Sequence, residues 1–351
     1  MKKRKALYFF VGQSTFVKKD IDIISEKSEV HTLNFEVDAG QKWKVLLQFV
    51  RQIFFLLRYG FTSTLFVSQF AGYHSLLPVL FAKITGKKSL IIAGGMECVA
   101  FPSIGYGNFQ KKYLKNFTRW SLMNASHISP KHETLWHSRY TYTNDDFSEQ
   151  GIQFFIPSIR TPHTVIYNGY DSIKFQKKGD KKASTFITVT GAMEYPFQTA
   201  LKGIDLLLEV AKDFPKATFL IIGALSESQF PDRPSNVIVK PKVPNEKLIE
   251  LYSESQFYFQ LSMAEGFPNA LCEAMLCECV PIGSDVFSIS DIIDNTGFLL
   301  RKRNKNMLAE VVQKALTCDA AALGKSARER ILKNYPLSRR NAELSSLIDK
   351  L

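Results

Sequence analysis

Two glutamates eight residues apart, on either side of a glycine, give this sequence its clearest opportunity for chemistry. The run Ala264-Glu265-Gly266-Phe267-Pro268-Asn269-Ala270-Leu271-Cys272-Glu273-Ala274-Met275 follows the apolar segment Phe257-Tyr258-Phe259. The apolar segment reads as a strand and the run after it as a loop and then a helix starting near Asn269, so Glu265 falls at a strand exit and Glu273 on the helix. A helix start carries unpaired N–H groups that favour an anion, and Gly266 lets backbone approach a ligand closely. Carboxylates repel a phosphate but accept hydrogen bonds from the hydroxyls of a sugar or ribose. The combination suits a nucleotide sugar, with phosphate on the amides and hydroxyls on the carboxylates. A plainer reading of the segment stays open, in which Asn269 caps the helix, Glu273 is exposed and Glu265 is an ordinary loop residue.

Other residue groupings offer less. Asp20-Ile21-Asp22 has D-x-D spacing, but positions two apart on a helix point in different directions, and Asp145-Asp146 sits in a polar loop; no metal is expected. The five cysteines fit a reducing compartment, and Cys272, Cys277 and Cys279 lack paired C-x2-C spacing and read as small core residues. Gly12 has no G-x-G-x-x-G pattern after it, which argues against a nicotinamide dehydrogenase.

Positioning the glutamates requires a sheet, and the pattern supplies two. Short apolar runs at Ala6–Val11, Val30–Phe35, Ser63–Val67, Ser89–Ala93 and His127–Ser129 alternate with helical stretches, as in a parallel sheet covered on both faces. The series restarts after residue 165 with Thr185–Thr190, Thr218–Ile222, Val237–Val239, Phe257–Gln260 and Val280–Ile282. An α/β chain of two Rossmann-like, doubly wound domains follows, spanning 1–163 and 164–335, and two domains imply a cleft. The last segment reads as three helices broken near Asp319 and at Pro336; the terminal helix over 336–351 fits against either domain, and packing back on the first domain would bring the chain ends together.

Composition sets the remaining bounds. The 351 residues are 45% apolar and 22% charged, as in a globular protein. The basic Met1-Lys2-Lys3-Arg4-Lys5 precedes only a short apolar run, Ala6–Val11, which reads as a buried strand rather than a signal peptide, and the longest apolar stretch, Val45–Leu57, is broken by Gln48, Arg51 and Gln52. A cytoplasmic protein is expected. Residues 1–160 hold 21 Lys or Arg against 11 Asp or Glu, so nearly all of the +12 net charge lies in the first half. Lys44, Arg51 and Arg58 recur every seven residues along an otherwise apolar helix, and Lys111, Lys112, Lys115 and Arg119 form a second basic group beside Trp120. An anionic membrane surface, an ordinary solvated basic face and nucleic acid are the three readings, the last the least favoured.

Beyond these arguments, the run from Glu265 to Met275, followed by Pro281-Ile282-Gly283-Ser284-Asp285 and Asn295-Thr296-Gly297-Phe298-Leu299, resembles the E-x7-E region of retaining GT-B glycosyltransferases of the GT4 type, glycosyl transferases group 1. Val165-Ile166-Tyr167-Asn168-Gly169-Tyr170-Asp171 is similar to the family's interdomain stretch, and Lys202-Gly203 to the pair opening its first C-domain helix. The likeness is specific over residues 165–300. It implies GT-B architecture, two Rossmann-like domains facing a central cleft. The activity implied is transfer of a sugar, with retention, from a nucleoside-diphosphate sugar (UDP or GDP) to a glycan or lipid-linked acceptor in bacterial surface-polysaccharide synthesis.

Within that resemblance Glu265 and Lys202 are the catalytic residues, the first on donor-sugar hydroxyls and the second on the diphosphate. Donor binding falls to Gly266, Phe267, Pro268, Asn269, Ala270 and Leu271, to Glu273 on the ribose, and to Gly191 and Val243. Gly12, His74 and Glu97 are the acceptor-side candidates. One departure is marked: the family's phosphate-binding arginine is replaced in Gly191-Ala192-Met193 by Ala192, so that either Lys202 works with another cation, such as Lys240 or Lys242, or the activity is weakened or altered. Retaining transfer needs no protein nucleophile where the departing diphosphate takes the acceptor proton on the same sugar face. A nucleotide-sugar epimerase or hydrolase of the same fold, or a non-catalytic sugar-nucleotide-binding protein, is the alternative.

Overall fold

A computed structural model describes residues 4–36, 42–191 and 193–351. The strands are β1 (Arg4–Phe10), β2 (Ser28–Asn34), β3 (Leu65–Gln69), β4 (Lys88–Ala93), β5 (His127–Pro130), β6 (Ser138–Arg139), β7 (Glu149–Gln150), β8 (Lys182–Val189), β9 (Thr218–Ala224), β10 (Val237–Pro241), β11 (Ser255–Gln260), β12 (Val280–Ser284) and β13 (Phe298–Leu300). The helices are α1 (Thr15–Lys27), α2 (Lys42–Tyr59), α3 (Tyr73–Ile84), α4 (Leu114–Asn124), α5 (Ile152–Phe155), α6 (Pro196–Leu201), α7 (Ile204–Ala211), α8 (Asn245–Glu254), α9 (Asn269–Leu276), α10 (Ser288–Ile293), α11 (Lys305–Leu316), α12 (Ala320–Asn334) and α13 (Leu337–Lys350). The chain divides into two compact units. The first runs to Ser138 and takes up Glu149–Tyr167 and Ser338–Leu351; the second comprises Arg139–Ser148 and Asn168–Leu337.

The first unit is built on a parallel sheet in the order β2-β1-β3-β4-β5. Its strands are apolar at successive positions because both faces are covered. Ala6, Tyr8, Phe10, Leu65, Val67, Leu90 and Ile92 face Val17, Ile23 and Ile24 of α1 and Leu344, Leu347 and Ile348 of α13. The intervening Leu7, Phe9 and Phe66 face Leu56 of α2 and Ala82 of α3. The terminal helix is therefore a core element of the unit that begins the chain. It is fixed there by Arg340, whose Nε and Nη2 donate to Asp20 Oδ1 at 3.1 and 2.6 Å and whose Nη1 donates to the carbonyls of Ile166 and Tyr167.

The second unit has a six-stranded parallel sheet ordered β10-β9-β8-β11-β12-β13. Phe186 of β8 stacks on Phe219, Phe257 and Phe259 from the flanking strands, with ring centroids 4.7–5.1 Å apart. The strand order reverses between β8 and β11, which is where a doubly wound sheet opens a crevice at its carboxyl edge. Asn304 and Asp319 cap α11 and α12, accepting the N–H groups of Met307 and Ala322 at 3.0 Å, and so set the breaks in the final helical segment. Arg139–Ser148, which the pattern places in the first half of the chain, belongs to this second unit. Lys302 Nζ and the Arg303 N–H hold the carbonyls of Thr141 and Tyr142 at 2.5 and 3.0 Å.

Candidate functional site

The paired glutamates sit at the carboxyl edge of the second sheet, next to its reversal point. After β11 the chain turns through 261–268 into α9, and the turn is tied to the end of α6 by a Met263 N–H to Leu201 carbonyl bond of 2.8 Å. Gly203 passes directly beneath this loop. Its φ is +67°, and a Cβ there would meet the Leu261 carbonyl oxygen at 2.3 Å, so the residue after Lys202 has to be glycine.

That close passage brings Lys202 to Glu265. Lys202 Nζ donates to Glu265 Oε1 at 2.5 Å, and the same oxygen accepts from Ser262 Oγ at 3.0 Å and Gln260 Nε2 at 3.2 Å. Gln260 is in turn fixed by donating to Ser262 Oγ and accepting from the buried Tyr258 hydroxyl. All three contacts converge on Oε1, while among the described residues Oε2 has no hydrogen-bond partner. Both side chains stay partly exposed, Glu265 at 16% and Lys202 at 28%, so the pair is fixed yet reachable. Burial and the Glu265 charge together push the Tyr258 hydroxyl well above its ordinary pKa, so it remains a neutral donor.

Helix α9 starts at Asn269, behind Pro268, with no side chain capping it. The Asn269 side chain is engaged elsewhere, since its Oδ1 accepts from Asn168 Nδ2 at 3.0 Å and from the Tyr170 hydroxyl at 2.8 Å. Among the described residues the first-turn amides are thus left without a side-chain acceptor, which is the condition for anion binding at a helix N-terminus. Gly266, Phe267 and Pro268 are buried, and Phe267 packs edge-on to Tyr335 with centroids 5.2 Å apart. Ala270 is partly exposed, Leu271 is core, and Glu273 is partly buried one turn into the helix. Gly191 is exposed at the end of β8 with nothing within 4 Å of a Cβ position, and Val243 lies just past β10 on the same sheet edge. Ala192 lies outside the described residues. Gln260, Ser262 and Tyr258 escaped the sequence reading; a glutamine closing an otherwise aromatic buried strand was the available signal.

In the first unit the three acceptor-side candidates also follow strand ends, but two are buried. Gly12 is exposed at φ +71°, its N–H donating to Asn34 Oδ1 at 3.0 Å. The His74 ring is buried with Nε2 2.7 Å from the Gln69 carbonyl, and burial lowers its pKa to about 4. Glu97 is buried with both carboxylate oxygens on its own loop, taking the N–H groups of Gly94 at 2.6 Å and Gly95 at 3.2 Å; burial outweighs these bonds and raises its pKa to about 7. The buried Lys131, over the Phe16 ring at 3.9 Å, is lowered to about 8 by the same cause and was not singled out in the sequence.

These two shifts give opposite pH dependences. As pH falls from about 6.5 to 4 the unfolded chain protonates His74 before the folded one does, and stability is lost. As pH falls from about 7 to 4.5 the folded chain protonates Glu97 first, and stability is gained. Each full window amounts to about 3 kcal/mol, and the two nearly cancel. In chemical denaturation at pH 7 and pH 5, His74→Gln should gain stability on acidification relative to wild type and Glu97→Gln should lose it; parallel curves for all three would refute the assignment.

Comparison with known proteins bears on the fold and on the second unit. The family model described as glycosyl transferases group 1 matches residues 174–333, which lie in the second unit. No curated protein matches the chain significantly. Among solved structures, sucrose-phosphate synthase from Thermosynechococcus elongatus superposes with a TM-score of 0.73 at 16% identity, covering 99% of each chain. Anabaena Alr3699/HepE in complex with UDP gives 0.71 at 13% identity, over 99% of this chain and 100% of that one. A glycosyltransferase from Rickettsia africae gives 0.67 at 13% identity, over 100% and 99%. The chain therefore has the two-Rossmann-domain GT-B fold, and its second unit carries the sequence pattern of glycosyl transferases group 1.

Proposed function

We propose that the protein is a retaining glycosyltransferase that moves a sugar from a nucleoside-diphosphate sugar to a glycan or lipid-linked acceptor in surface-polysaccharide synthesis. One observation carries the reading: Glu265, Lys202 and the uncapped start of α9 share one place at the carboxyl edge of the second sheet. Glu265 Oε2 accepts a donor-sugar hydroxyl, Lys202 and the amides from Gly266 to Leu271 take the diphosphate, and Glu273 takes ribose hydroxyls. Alr3699/HepE has been solved with UDP and with UDP-glucose, which supports UDP as the base-bearing half of the donor here.

In the step itself the bond from the anomeric carbon to the β-phosphate oxygen breaks, the acceptor oxygen bonds to that carbon on the same face, and the acceptor proton passes to the departing diphosphate. Lys202 and the α9 amides stabilise the charge that builds on the diphosphate. Lys240 at the end of β10 and Lys242 just beyond it are the candidates to compensate for Ala192. The first unit takes the acceptor side; Gly12 offers backbone there, while His74 and Glu97 hold the loops. The protein works at the cytoplasmic face of a membrane, where its basic first half, with exposed Lys111, Lys112, Lys115 and Arg119, meets anionic lipid.

Product analysis tests this. With UDP- and GDP-sugars and an extracted lipid acceptor, the sugar should appear on the acceptor with its anomeric configuration retained, in the presence of EDTA. Epimerised donor or free sugar without a glycosylated product would favour the epimerase or hydrolase. Binding without turnover would favour a non-catalytic role.

A further inference from the structure

Helix α2 is apolar on two opposite sides, and among the described residues only one of them is covered. Leu56 and Gln52 are buried, with Phe49, Phe55 and Tyr59 partly buried beside them. Opposite them Trp43, Leu47, Val50, Phe54 and Leu57 recur every three or four residues, the spacing of one helical face, and Phe61 in the next turn continues the row. Every member is exposed, Trp43 at 63%, Phe54 at 68% and Phe61 at 64%, and Leu46 and Ile53 widen the stripe at 68% and 45%. A contiguous row of large apolar side chains facing water marks a contact surface.

Charge identifies the partner. Lys44, Arg51 and Arg58 run at seven-residue spacing along one edge of this stripe, and α2 contains no acidic residue. A second copy of the chain would set these cation-edged helices together without a counter-charge, whereas an anionic bilayer supplies both apolar depth and headgroups of the right sign. No helix among the described residues is long and apolar enough to cross a membrane, so the geometry is that of a helix lying in the interface plane.

We propose that α2 is a membrane-insertion helix, sinking Trp43, Leu47, Val50, Phe54, Leu57 and Phe61 below the headgroups of an anionic bilayer while Arg51 and Arg58 stay at the surface. This deepens the membrane-surface reading above and changes its emphasis, since the apolar stripe rather than the basic line supplies the contact area. It is independent of the donor-site assignment, because vesicle binding needs no turnover.

The test is flotation of the full-length protein with vesicles of phosphatidylcholine alone or with about one-third phosphatidylglycerol. Wild type should float with the anionic vesicles, and high salt should weaken this without abolishing it. The double variant Leu47→Glu/Phe54→Glu should bind roughly 100-fold more weakly, with unchanged thermal unfolding and nucleotide binding. Arg51→Gln/Arg58→Gln should lose less and keep residual binding. Equal flotation of wild type and the Glu variant would overturn the proposal, as would a wild-type dimer in sedimentation that the Glu variant dissociates while neither binds vesicles.

Discussion

Glu265→Gln should lower sugar transfer at saturating donor by roughly 30- to 1000-fold, the 2–4 kcal/mol expected when one charge-bearing contact to the transition state is lost. The geometry makes the effect specific. A glutamine oxygen at the Oε1 position still accepts from Lys202, Gln260 and Ser262, but the amide nitrogen replaces the unpartnered Oε2 and can no longer accept a sugar hydroxyl. The loss of charge also leaves the Lys202 cation uncompensated, so binding of the bare nucleoside diphosphate should be equal or tighter while turnover collapses. Because the pair is partly solvated it adds little to folding, and the thermal midpoint should move by only a few degrees. Near wild-type turnover would remove Glu265 from the chemistry. A large drop in the midpoint would make its role structural.

Arg340→Met carries the largest expected cost in stability, about 3–5 kcal/mol, because it removes the hydrogen-bonding partner of a buried carboxylate and leaves the nearby Lys131 charge to balance it. Asp20 is fully buried, and Arg340 supplies both hydrogen bonds to its Oδ1. The same guanidinium holds the Ile166 and Tyr167 carbonyls, so the substitution also loosens α13 from the first sheet. Thermal unfolding should fall by on the order of 10 °C. The double variant Asp20→Leu/Arg340→Met should recover much of that, since an apolar pair avoids the desolvation that an unpaired charge suffers. A double variant as unstable as the single one would show that the carbonyl contacts, not the buried charge, dominate.

Much of this architecture is legible in local pattern. All ten strands read from short apolar runs are present within a few residues of their expected ends, and the breaks near Asp319 and Pro336 are real, because a doubly covered strand and a capped helix both write themselves into adjacent residues. Strand β13 is only three residues long and β6 and β7 two each, too short to leave a periodic signal. The docking of 139–148 on the second unit and of α13 in the first core depends on partners more than 100 residues away, and nothing local encodes it. At the site, residue type pointed to Glu265, and the family resemblance to Lys202. Their contact at 2.5 Å, and the support from Gln260, Ser262 and Tyr258, needed the fold, and the same burial places the side chains of His74 and Glu97 on their own loops. Periodicity also showed α2 as apolar outside its basic line; which half is covered could be seen only with the sheet in place.

Hydrogen–deuterium exchange of the full chain, with and without saturating UDP or GDP, tests the placement of the donor site most directly. At least one of the two nucleotides should bind and slow exchange at the start of α9 and across the loop before it, residues 262–276, together with 190–203 around Gly191 and Lys202. Protection confined to other segments, or no binding of either nucleotide by a folded protein, would contradict that placement.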